Sequence, residues 1–197
     1  MNRRLAQSYV AGSTDEVLQH KTIDQAFAET VKRFPAHEAL IVCHQSIRWT
    51  YQELQLEVNA FAAGLLALGL MPGDRIGIWS PNRYDWVVAQ LATARIGLIL
   101  VNINPAYRLS ELEYALNKVN CKALITAPSF KSSDYLGMLN ELMPELTSAE
   151  PGKLHAAKIP DLRLLIRMGT EITPGCFNYD DIRNLAGPAQ YSRMEMI

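Results

Sequence analysis

An α/β fold, with a mostly parallel sheet flanked by helices, is predicted by three features of the 197-residue sequence. Between Arg75 and Thr126, strand-length apolar runs alternate with helix-length segments, the succession that builds βαβ units. The runs are continuously apolar, as in Ile76-Gly77-Ile78-Trp79 and Ala123-Leu124-Ile125, so both faces of each strand must be covered. Helix-start signatures precede several apolar stripes and place the helices independently of the strands.

The first helix is predicted over 22–34, where Thr22 and Gln25 form a capping box and Ile23, Ala26, Phe27, Val31 and Phe34 recur at helical spacing. Pro35 stops it. Apolar runs 39–43 and 47–50, separated by His44-Gln45-Ser46, read as a hairpin. Thr50 with Glu53 opens a second helix whose Tyr51, Leu54, Val58, Phe61, Leu65 and Leu68 share one face. Gly69 ends it, and residues 71–74 turn the chain. The alternation then runs as strand 75–79, helix 82–95, strand 98–103, helix 110–119 and strand 122–126. Asn82 with Asp85 and Ser110 with Glu113 are the expected helix starts. A helix over 134–142 and a strand over 163–167 continue the pattern. Residues 147–160 read as a surface loop, and the last thirty residues offer one short amphipathic piece, 179–185.

Charge excludes several classes of function. Nineteen Lys and Arg oppose 20 Asp and Glu, and the densest basic pairs are Arg3-Arg4 and Lys32-Arg33. No basic patch of the kind that holds nucleic acid or an anionic membrane is present. The longest uncharged stretch, 58–73, is broken by Asn59, Gly64, Gly69 and Pro72 and falls short of a bilayer span, so no integral membrane segment is expected. No apolar h-region follows Arg3-Arg4, and a cytoplasmic location is the expectation. Cys43, Cys121 and Cys176 are dispersed and odd in number, which predicts reduced thiols and neither a disulfide framework nor a metal site.

Chemistry in a doubly wound sheet is sought beyond the C-terminal strand ends, in the loops after Trp79, Ile103, Thr126 and Arg167. The first, Ser80-Pro81-Asn82-Arg83, lacks phosphate-binding glycines, and neither GxGxxG nor GxxxxGK[ST] occurs anywhere, nor do GxSxG and HExxH. His20, His37, His44 and His155 are scattered, and Cys43-His44 is not expected to form a metal or catalytic pair. Asn102, Asn104, Pro105 and Tyr107 form a polar and aromatic cluster at a strand end that reads either as a ligand contact or as a turn held by Asn side chains. Arg95 reads either as an anion contact or as the partner of its helix's C-terminal carbonyls. Tyr84 and Trp86 are expected to pack as core.

Several stretches resemble a known family. Trp49-Thr50-Tyr51-Gln52-Glu53-Leu54 is similar to the TYxEL motif of AMP-forming acyl-CoA synthetases in the adenylate-forming superfamily. Pro72-Gly73-Asp74-Arg75, Ser80-Pro81-Asn82, Ala94-Arg95-Ile96-Gly97, residues 101–107 and residues 111–116 match their next block in order and spacing. Ser8-Tyr9-Val10, Pro151-Gly152-Lys153-Leu154 and Pro160-Asp161-Leu162 extend the likeness toward the medium-chain fatty-acid ligase subgroup, over nearly the whole chain until it thins after about Asp181.

The resemblance implies the N-terminal subdomain of the adenylate-forming fold, incomplete, with an extension over 1–21 and the domain over 22–197. It implies a ligase that joins a carboxylic (fatty) acid to coenzyme A, using ATP and Mg2+ and passing through an acyl-adenylate. The family's Ser/Thr/Gly-rich phosphate loop is expected after Ile197, so the chain by itself is expected to be inactive, to carry no catalytic or metal-binding residue and to bind these cofactors poorly. Arg95 is the one position carried over from the family, as a contact to coenzyme A phosphate, and the Asn104-Pro105-Ala106-Tyr107 turn is implied to be structural. A non-catalytic binding or oligomerisation module, with a homodimer as its form, or a decayed gene product of the same family, is the competing reading, and a flavodoxin-like binding domain is a third. A sheet lacking later strands is expected to expose an apolar edge.

Overall fold

The computed structural model describes residues 11–13, 15 and 18–197. Arg3, Arg4, Ser8-Tyr9-Val10 and most of the 1–21 extension lie outside the described residues.

Helix α1 (Ile23–Arg33) starts as predicted, with the Thr22 hydroxyl accepting the Gln25 N–H and the Gln25 side chain accepting the Thr22 N–H. The hairpin is also formed: β1 (Glu38–Val42) and β2 (Ile47–Thr50) pair antiparallel around a 3-10 turn, Cys43–Gln45. Helix α2 (Tyr51–Ala67) opens on the Thr50–Glu53 box, and Gly69 after it takes φ 83°, left-handed geometry that a glycine adopts without steric cost.

The remainder is β3 (Arg75–Trp79), α3 (Tyr84–Arg95), β4 (Ile99–Ile103), α4 (Leu109–Lys118), β5 (Ala123–Thr126), a small hairpin β6 (Ser129–Phe130) and β7 (Ser133–Asp134), α5 (Tyr135–Leu142), β8 (Leu164–Arg167), β9 (Cys176–Asn178), α6 (Tyr179–Ile182) and α7 (Pro188–Met194). The main sheet has the order β4-β3-β5-β8-β9 with every pair parallel. By their own succession these strands run 2-1-3-4-5, the flavodoxin-like order, which reverses between β3 and β5. Right-handed crossovers in opposite directions put α3 and α4 on opposite faces. Helices α1, α2 and α3 pack together, α7 packs on α2, and α4 packs with α5. β3, β5 and β8 are buried between the two layers, as their unbroken apolar runs require.

Four expectations are corrected. Helix α3 starts at Arg83, not Asn82, and its first N–H is capped from another element: Gln45 Oε1 accepts the Tyr84 N–H at 2.9 Å. Helix α4 starts at Arg108, whose N–H donates to the Glu111 carboxylate at 3.2 Å, so Ser110 and Glu113 do not form its box. Residues 147–160 are no simple surface loop, because Leu154, Ala156 and Ile159 are buried in the core. The last thirty residues supply a fifth sheet strand and two helices; Cys176-Phe177-Asn178 is too short to show a period and gains its strand geometry from pairing with β8. β4 is an edge with half-exposed Ile99, flanked by open apolar hollows under Trp86 and Leu91 on one side and Tyr107 and Tyr114 on the other.

The C-terminal segment reaches the core because Gly64 on α2 has no side chain. A Cβ there would sit 2.1 Å from the Ile182 carbonyl oxygen of α6. Just along α2, Phe61 stacks on Tyr179 with centroids 4.3 Å apart. In an isolated helix Gly→Ala gains about 1 kcal/mol; Gly64→Ala is expected to lose about 1–3 kcal/mol by overpacking, and urea unfolding that shows stabilisation would refute the close approach. The thiols offer a second check. Burial pushes Cys121 up to about 12 and Cys176 up to about 11, against an ordinary value of 9.0, while Cys43 is exposed. Ellman's reagent at pH 8 is expected to titrate one thiol in the native chain and three in denaturant. The raised values keep both buried thiols neutral in the fold, so their contribution to stability is complete below pH about 9 and declines as pH rises toward 11–12.

Candidate functional site

The C-terminal edge of the sheet is held by a buried aromatic pair that sequence reasoning missed. The Trp79 ring, at the end of β3, stacks on Tyr135 of α5 with centroids 3.7 Å apart and planes 13° apart. Trp79 Nε1–H donates to the Asn104 carbonyl at 3.2 Å, and the Tyr135 hydroxyl donates to the Pro105 carbonyl at 2.6 Å. Burial raises Tyr135 to about 12, so this hydroxyl keeps its proton and remains a donor. Asn104 Oδ1 accepts the Ala106 N–H at 2.9 Å, and the Tyr107 N–H donates to the Asn104 carbonyl at 3.0 Å. The Asn104 to Tyr107 segment is therefore a turn locked by its own Asn and by the aromatic pair, as the family likeness implies, while Asn102 is exposed on the edge strand.

A crevice of about 300 Å³ opens beside this edge, next to the place where the strand order reverses, lined by Arg83, Pro128 and residues 167–171. Three connections contribute to it, those after β3, β5 and β8. Arg83 Nε donates to Asp85 at 2.8 Å, and that carboxylate is almost fully buried. Arg167, the last residue of β8, has a side chain only 4% exposed and pairs through Nη2 with the largely exposed Glu171 at 2.5 Å. Its Nε–H has no acceptor. In register with it on β9, Asn178 Oδ1 is the other buried side-chain atom without a partner among the described residues. Sequence reading named the loop after Arg167 but not the arginine, which closes an apolar run and gives no signal of its burial.

Arg95 lies at the opposite end of the sheet. Helix α3 runs back antiparallel to β3, so its last residue falls beside the strands' N-terminal ends. The guanidinium donates to Asp24 of α1 at 3.0 Å and to Glu195, just after α7, at 2.6 Å. Partial burial alone would lower its pKa; the two carboxylates outweigh that, and the net direction is upward. Another hollow, about 410 Å³, lies at this end, where Lys122 pairs with Asp74 at 2.6 Å. Tyr84 and Trp86 are partly buried, Tyr84 edge-on to Trp49 at 5.2 Å. Cys43 and His44 lie together in the exposed 3-10 turn.

Among the described residues, the loop after β8 is not a glycine-rich nucleotide-phosphate loop. Gly169 and Gly175 are the glycines of the loop after β8, and a Cβ at Gly175 would meet Leu146, so that glycine serves packing. Among the described residues no three His, Cys, Asp or Glu side chains converge to hold a metal ion. Among the described residues, no helix is long and apolar enough to cross a membrane.

Residues 27–173 match the AMP-binding enzyme family. The chain is 44% identical over 183 residues to the rat medium-chain acyl-CoA ligase ACSF2, mitochondrial, covering 93% of this chain and 30% of that protein. It is 34% identical over 178 residues to a putative acyl-CoA synthetase, YngI, of Bacillus subtilis, covering 90% of this chain and 32% of that one. The chain thus spans about 30% of the length of these relatives. The crystal structure of the anthranilate CoA ligase AuaEII with anthranoyl-AMP superposes with a TM-score of 0.71 over 86% of this chain and 29% of its own, at 17% identity, a likeness of fold. With three quarters of its length inside the family match, and the ordered motifs and parallel sheet in place, the chain belongs to the AMP-binding enzyme family.

Proposed function

We propose that residues 22–197 act as one domain, the N-terminal scaffold of a fatty-acid–CoA ligase that activates its acid with Mg-ATP and transfers the acyl group to coenzyme A. The observation that carries this reading is the identity of 44% to a medium-chain acyl-CoA ligase along almost the whole chain. The chain supplies the aromatic-pinned sheet edge, and its sequence carries neither GxGxxG nor GxxxxGK[ST], which supports the expectation that it does not adenylate by itself. ATP–pyrophosphate exchange tests this. The chain alone is expected to give no fatty-acid-dependent exchange, and a chimera joining it to the later part of the Bacillus subtilis relative is expected to give it. Turnover by the chain alone would refute the scaffold reading; a folded, inactive chimera would refute the ligase reading.

Arg95 has two proposed roles. The resemblance offers a contact to coenzyme A phosphate. Its double pairing with Asp24 and Glu195 favours a structural clamp joining α1, α3 and the segment after α7. As a clamp, Arg95→Ala is expected to cost about 1 kcal/mol, the scale of partly exposed ion pairs, and to leave the chimera's KM for coenzyme A unchanged. A rise in that KM without loss of stability would establish the phosphate contact instead.

The exposed β4 edge with its apolar hollows favours association of some kind, and a homodimer is the partner proposed from sequence. Free thiols support a reducing compartment. The cytoplasm is proposed, whereas the name of the rat relative says mitochondrial; fractionation of a tagged protein separates the two.

A further inference from the structure

A buried arginine is seldom left with an unmade hydrogen bond, because the desolvated N–H then has nothing to replace its lost water. Arg167 is such a case: its side chain is 4% exposed, it lines the crevice at the sheet's C-terminal edge, and its Nε–H has no acceptor. Its one carboxylate partner is weakly held. Glu171 is 83% exposed and reaches Nη2 from four residues away on the same loop, so it can swing into water at little cost. Gly169 lets that loop pass close over the guanidinium: it takes φ 99°, and a Cβ there would lie 3.0 Å from Arg167 Nη1. Arg83, held at Nε by Asp85, faces the same crevice from the connection after β3, and Thr170 adds a hydroxyl. The lining side chains carry two positive charges against the single negative charge of Glu171.

We infer that this crevice is an oxyanion-binding subsite in which Arg167 and Arg83 hold a phosphate or carboxylate group and the Glu171 carboxylate occupies the same place until the anion displaces it. The planar guanidinium presents Nε–H and Nη–H in parallel, a fork that fits two oxygens of either group. Arg167 sits at the end of a strand buried on both faces, so the fork is positioned before the anion arrives. The assignment stands on these side chains and does not require the ligase reading.

The test is a titration of the 15N-labelled chain with sodium phosphate and, separately, sodium acetate, at ionic strength held constant with chloride, following the Gly169 and Thr170 amides by NMR. Saturable shifts with one anion are expected and identify which oxyanion the subsite takes. Glu171→Gln, at an exposed position, is expected to tighten binding about three-fold by removing the competing carboxylate. Arg167→Gln is expected to weaken it at least about ten-fold. If Arg167→Gln loses its dispersed spectrum, Arg83→Gln takes its place, with weakened binding again expected. Shifts that do not saturate with either anion, unchanged affinity in the arginine variants, or weaker binding in Glu171→Gln would each overturn the assignment.

Discussion

The stacked pair of Trp79 and Tyr135 is the contact on which the C-terminal edge of the sheet depends. One ring ends β3, the other begins α5, and each sends a hydrogen bond into the connection after β4. Three separate pieces of chain are thereby fixed to one buried aromatic layer. Both polar atoms of the pair find carbonyl partners, so the layer gains apolar burial without leaving a donor unsatisfied. The connections after β3 and β5 open into the region where the strand order reverses, the place at which sheets of this order present ligands.

Polarity along the strands separates the two arginines. A helix that returns antiparallel to its strand delivers its last residue to the N-terminal end of the sheet, and there Arg95 is enclosed by Asp24 and Glu195. A strand delivers its last residue to the C-terminal end, and there Arg167 meets an open crevice with one exposed carboxylate opposite it. Both residues are arginines after largely apolar runs, yet one joins helices across a layer and the other is buried in the wall of a crevice. The difference lies in which element each residue ends.

Much of the fold was legible in the sequence because its signals are local. The boxes at Thr22 and Thr50, the glycine after α2 and the continuous apolar runs of β3, β5 and β8 each depend on residues close in the chain. At α4 the local signal only moved two residues, from Ser110 to Arg108; at α3 and β9 a distant partner replaced it. Tyr84 is capped by Gln45 from the hairpin turn, and Cys176-Phe177-Asn178 extends because β8 offers it a ladder. The candidate site was less legible: the loops that form the crevice could be named from strand ends, but not that Arg167 would be buried or that Arg83 would face it.

The sequence by itself determined the alternation of elements, the need for two covering helical layers and the family to which the chain belongs, since apolar periodicity, caps and ordered motifs are written in neighbouring residues. Only the tertiary structure decided the strand order, the admission of the C-terminal segment to the core at Gly64, and the separation of Arg95 from Arg167 by the length of the sheet. Those properties belong to pairs of residues far apart in the chain, and no local pattern carries the distance between them.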